Sequence, residues 1–121
     1  MQAIPVNTNI VILKACSKTY EIKFTLSNAP IDITGWTVIF MAKADMTDPD
    51  SSAVIAKYFY THDFLDAPNG KMLIQLSMDD TNITPGNYYF AIKFITNADP
   101  ADAGIIIQGR MLIQLATIQG Q

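Results

Sequence analysis

The dominant hydrophobic period along the chain is two. Tyr20, Ile22, Phe24 and Leu26 alternate with Glu21, Lys23 and Thr25, the pattern of a half-buried strand. Met72, Ile74 and Leu76 alternate with Lys71, Leu73 and Gln75. Tyr88, Phe90, Ile92 and Phe94 alternate with Tyr89, Ala91, Lys93 and Ile95, and Met111, Ile113 and Leu115 with Leu112, Gln114 and Ala116. Three further segments, Asn9 to Lys14, Trp36 to Lys43 and Val54 to Thr61, are apolar on both faces, as expected of central or doubly covered strands.

Turn chemistry separates these segments. Asn28-Ala29-Pro30 closes one strand, and Asp32-Ile33-Thr34-Gly35 opens the next, with Gly35 free to take positive φ and start Trp36 inward. Asp48-Pro49-Asp50-Ser51 reads as a loop, Asn69-Gly70 as a tight turn and Pro85-Gly86 as a type II turn. Met78 to Asn82 reads as one helical turn capped by Ser77 or Asp79, and Asp80 and Thr81 can satisfy local backbone donors at a corner. Asn97 to Gly104 reads as a long loop. No helical stretch is long enough for a crossover between parallel strands, so about seven short strands predict an all-β antiparallel sandwich. At 121 residues it is one domain over 1–121, with its core between about 9 and 118.

Composition narrows the function. Eight basic and eleven acidic residues give net charge −3, which argues against nucleic-acid binding. The N-terminus lacks a basic, apolar signal pattern, and runs such as Val38 to Ala42 fall far short of the ~20 residues a membrane helix needs. The expectation is a soluble protein made in a bacterial cytoplasm, without a membrane role. One cysteine and one histidine leave little for nucleophilic catalysis or zinc.

Asp45, Asp48 and Asp50 with Ser51 lack calcium-loop spacing, and His62 with Asp63 and Asp66 reads as an acidic loop. Asp79 and Asp80 point to opposite faces if extended, and a Cys16–His62 dyad has no evident orienting acid. The chain is therefore expected to be no enzyme, with no cofactor and no metal.

From Pro30 onward the order of signals is particular. It runs Pro30-Ile31-Asp32-Ile33-Thr34-Gly35-Trp36, Lys43-Ala44-Asp45, Asn69-Gly70-Lys71, Leu76-Ser77-Met78-Asp79-Asp80-Thr81, Pro85-Gly86-Asn87-Tyr88-Tyr89-Phe90 and Gly109-Arg110-Met111-Leu112-Ile113. From Asn9 to Ile118 this resembles the immunoglobulin-like N-terminal domain of phage baseplate upper proteins and related tail modules. The resemblance implies an immunoglobulin-like sandwich acting as a structural protein of a phage or prophage virion, in the tail or baseplate. It implies contacts with copies of itself, as a homo-oligomer, and with other virion proteins. The chain is then either a small stand-alone virion protein or an excised domain.

Parity nominates the contact surface. Ile39, Met41, Leu73, Tyr89, Ile95, Ile106 and Leu112 fall opposite their strands' core faces, where a sandwich normally carries polar residues. Tyr58 and Tyr60 share one strand face while Phe59 takes the other. Tyr58, Tyr60, Tyr89, Ile95 and Leu112 are the candidate interface or ligand face. The alternative is a carbohydrate- or receptor-binding domain of a host-recognition apparatus, with Tyr58 and Tyr60 as a sugar platform. Trp36 reads as a core anchor.

Overall fold

A computed structural model describes residues 6–26, 28–45, 47–97 and 103–115. Nine strands occur among them: β1 (Val6–Leu13), β2 (Lys18–Lys23), β3 (Thr25–Leu26), β4 (Ala29–Pro30), β5 (Thr37–Lys43), β6 (Ile55–Phe59), β7 (Lys71–Leu76), β8 (Gly86–Ile95) and β9 (Ala103–Gln114). Seven are longer than two residues. The larger sheet has the order β1-β9-β8-β5-β6, and β2 pairs with β7 in a second sheet. β1, β5, β6, β8 and β9 thus make one layer and β2 and β7 the other, an all-β sandwich. β3 and β4 form a two-residue pairing of their own.

The larger sheet is mixed. β1 runs parallel to β9, with Val6 opposite Ile107 through to Leu13 opposite Gln114, so a wholly antiparallel sandwich is corrected at this edge. Parallel pairing is available because β1 and β9 are the first and last strands, with the whole domain serving as the crossover between them.

The alternating residues of β2, β7 and β8 meet between the layers. Ile22, Met72, Ile74, Leu76, Tyr88, Phe90, Ile92 and Phe94 are buried. Trp36 anchors the core as expected, stacking on Phe94 at 5.3 Å and meeting Phe24 edge-on at 5.8 Å. It enters this position from a local device: Asp32 Oδ1 accepts the Thr34 N–H at 2.9 Å and its hydroxyl at 2.6 Å, and Gly35 turns the chain at φ 84°. Two strands cannot cover five, and Ile33, Ala67 and the half-buried Ile31 and Phe64 from the connecting segments close the remainder.

The corner between β7 and β8 is the other fixed point. Ser77 Oγ accepts the Asp80 N–H at 3.1 Å, and Asp80 Oδ2 accepts the Ser77 N–H at 2.7 Å, a reciprocal cap on one turn. Thr81 is fully buried, and its hydroxyl donates to the Cys16 carbonyl at 2.7 Å. It therefore satisfies an acceptor on the β1–β2 turn, rather than a donor.

Several local expectations change. Gly86, at φ 153°, opens β8 instead of completing a type II turn. β6 ends at Phe59, and Thr61 belongs to a short 3₁₀ turn. Leu115 lies past the end of β9 and is exposed. Ala103 and Gly104, expected in a loop, begin β9; Asn97 lies past the end of β8, and 98–102 of that expected loop lie outside the described residues, as do 116–118 and the side chains of Leu26 and Asp50.

Candidate interaction surface

The outer face of the five-stranded sheet is built in rows by strand register. One row carries Lys43, Tyr89, Arg110 and Asn9 across β5, β8, β9 and β1. The next carries Ala56, Met41, Ala91 and Gln108, and the third Tyr58, Ile39, Lys93 and Ile105. Asn87, Leu112 and Val11 form a row on the other side of the first.

This pattern shapes the surface. The middle row has alanines on both sides of Met41, between rows of lysine, tyrosine and arginine, so its floor lies below its walls. The result is a shallow depression of ≈ 730 Å³. Gly109 deepens the approach of β1: a methyl group there would lie 1.5 Å from the Thr8 carbonyl oxygen, so only glycine permits this strand spacing. Arg110 lies over the Tyr89 ring, its guanidinium carbon 5.9 Å from the centroid, and Lys43 Nζ donates to the Asp48 carbonyl at 2.9 Å. These contacts hold long side chains at the rim.

Four of the five candidate residues share this face. Tyr89 and Leu112 are half-buried, while Ile95 is 37% and Tyr58 51% exposed. Tyr60 sits beyond the end of β6 and stacks on His62 at 6.1 Å. Val11 (53%) and Leu13 (41%) extend the apolar surface along β1; the sequence pattern, apolar on both sides of this strand, did not distinguish them.

The other outward positions change meaning. Ile39 and Met41 are 6% and 5% exposed, so the chain's own fold buries them. Each is on an interior strand with flanking side chains on both sides. Ile106 packs against the core, because it is the extra residue that the register skips between Ile92 and Lys93. Leu73 is half-buried on the other sheet, opposite Glu21. A covered surface is therefore carried by fewer apolar residues than parity alone indicated.

The acidic loops serve their own backbone. Asp45 Oδ1 accepts the Thr47 N–H at 3.0 Å and its hydroxyl at 2.9 Å, and Asp48 accepts the Asp45 N–H at 3.2 Å. The bonds from Thr47 hold the Asp45 carboxyl below the ordinary aspartate range, as those from Thr34 do for Asp32. Asp63 accepts the Tyr60 N–H at 2.9 Å. Among the described residues no group of three or more His, Cys, Asp or Glu is placed to hold a metal ion. Cys16 lies in the β1–β2 turn and is half-buried; His62 Nε2 lies 3.4 Å from Asp63. Among the described residues no helix is long and apolar enough to cross a membrane.

Neither a protein-family model nor a curated protein matches this sequence.

Proposed function

We propose that the chain is a non-enzymatic assembly module of a phage or prophage virion, positioned in the tail or baseplate, whose outer sheet face docks against a second copy of itself and against neighbouring virion proteins. The observation that carries the docking surface is the continuity of Val11, Leu112, Tyr89 and Ile95 on one face around a shallow depression. An apolar surface that is partly exposed, flanked by long side chains already held by contacts, can dock with little side-chain entropy loss. The virion assignment is supported by the ordered turn-and-strand signals from Pro30 to Ile113. Phage particles from the bacterium carrying the gene, purified on a density gradient, provide the test. Mass spectrometry should find this chain in constant ratio to tail proteins. Its recovery only from the particle-free lysate would overturn the virion assignment.

A further inference from the structure

The depression on the outer face gathers charge of one sign. Its lining includes Lys43, Lys93 and Arg110, three of the chain's eight basic residues, and no carboxylate. The chain as a whole carries net charge −3, so this concentration of cations runs against its composition. By strand spacing, Lys43 and Arg110 stand about 10 Å apart at one end of the depression, with Tyr89 between them. Lys93 lies four residues beyond Tyr89 on β8, about 13 Å away at the other end. Met41, Ala91 and Gln108 lie between, so the floor that separates the cations is mostly apolar.

Arg110 is the leading group. It is exposed, and its guanidinium carbon lies 5.9 Å from the centroid of the Tyr89 ring. Among the described residues no carboxylate pairs with it. Stacking occupies the face of the guanidinium and leaves the N–H donors in its plane for a bidentate carboxylate. Lys43 Nζ is tethered to the Asp48 carbonyl at 2.9 Å, and Lys93 is half-buried, so the positions of both charges are restricted.

We propose that the depression takes an extended acidic segment of a neighbouring protein, with two carboxylate side chains four residues apart and an apolar side chain midway. In extended backbone, residues i, i+2 and i+4 share one face, and i to i+4 spans about 13 Å. That spacing sets one carboxylate on Arg110 and Lys43, the other on Lys93, and the middle side chain on Met41 and Ala91. A phosphodiester backbone matches the cations but has no side chain for this floor. No two acidic residues of this chain stand four apart, so no extended segment of a second copy supplies the pattern. The inference rests on the outer face being a docking surface, and specifies the chemistry of the neighbour it takes.

The test is an amide-resolved NMR titration of the full chain with the synthetic peptide Gly-Ser-Glu-Thr-Leu-Thr-Glu-Ser-Gly at low ionic strength. Saturable shifts should centre on Tyr89, Ala91, Lys93, Gln108 and Arg110, with a Kd below about 1 mM. The same peptide with both glutamates replaced by glutamine should not bind. Arg110→Gln should weaken binding about fivefold and Lys93→Gln about threefold, while Lys18→Gln, on the other sheet, leaves it unchanged. The dispersion of the same spectra reports whether each variant is folded. No saturable shift would overturn the proposal, as would equal binding of the glutamine peptide or of one with its glutamates adjacent. Binding unaffected by both Arg110→Gln and Lys93→Gln, or tighter binding of a single-stranded oligonucleotide, would also overturn it. Self-association is read separately, by light scattering of the chain without peptide. A chain that self-associates but does not take the peptide overturns this inference alone, and one that takes the peptide as a monomer removes only the contact with a second copy.

Discussion

Replacing Thr81 by valine isolates one hydrogen bond at the corner that joins the two layers. The side chain is 0% exposed, and valine matches its shape, so the substitution opens no cavity. What is lost is the hydroxyl donated to the Cys16 carbonyl at 2.7 Å, with a longer approach to the Met78 carbonyl at 3.3 Å. A buried acceptor left without its donor costs about 1–3 kcal/mol. Cys16 is only half-buried, so water can partly replace the donor and the expected loss is about 1–2 kcal/mol. For a domain of this size that lowers the melting temperature by roughly 3–10 °C.

Urea unfolding followed by circular dichroism gives the magnitude. Hydrogen exchange gives the location, because the Ala15 N–H donates to the Thr81 carbonyl at 3.2 Å and should lose protection when the corner loosens. Thr81→Ser retains the donor and removes one methyl group, so Ala15 should stay protected in that variant. A valine variant as stable as the parent, with Ala15 equally protected, would refute the reasoning.

Three other outcomes follow from named contacts. Trp36→Ala should cost about 3–5 kcal/mol in urea unfolding, because it removes the stack on Phe94 and the edge contact with Phe24; a loss below about 1 kcal/mol would contradict its anchoring role. Gly70→Ala should cost about 2–4 kcal/mol in the same assay, since Gly70 has φ 70° and an added methyl would lie 2.5 Å from the Ile31 oxygen. Stability should also fall on acidification below about pH 4. Burial raises the Asp80 carboxyl, but hydrogen bonds from Ser77 and Lys57 and the Lys57 charge outweigh it, leaving the group below its ordinary 3.8; Asp32 and Asp45 are lowered by their threonine partners. The unfolded chain then binds more protons across that window, so the contribution is full above 3.8 and is lost as pH falls through the folded values. Asp80→Asn should flatten the urea midpoint against pH, and an unchanged slope would contradict the assignment.

Much of the sandwich was legible because burial on one face imposes period two. The sequence Tyr88-Tyr89-Phe90-Ala91-Ile92 separates core from outer positions without reference to any partner strand. The Asp32–Gly35 turn and the inward Trp36 were legible for a local reason, a short polar side chain before a glycine. Parallel pairing of β1 with β9 was not legible, since it depends on two segments a whole domain apart. Ile106 departs from the alternation because it is the extra residue that the register between β8 and β9 skips, with Ile92 opposite Ile107 and Lys93 opposite Ile105. Ile39 and Met41 do share the outer face, but side chains of the flanking strands bury them, which alternation within one strand does not reveal.

The candidate surface divides along the same line. Tyr89, Ile95 and Leu112 followed from parity within single strands, whereas Val11 joined them only through its register with Leu112.

Self-association through the outer face is the claim that most of the functional account rests on. Light scattering behind a size-exclusion column, over a wide range of concentrations, measures it directly against the chain mass of 13.3 kDa. The account predicts a defined oligomer that reverts to the single-chain mass when Tyr89→Asp and Leu112→Asp are combined. A strict monomer at every concentration would contradict it, as would an oligomer that the double variant leaves intact.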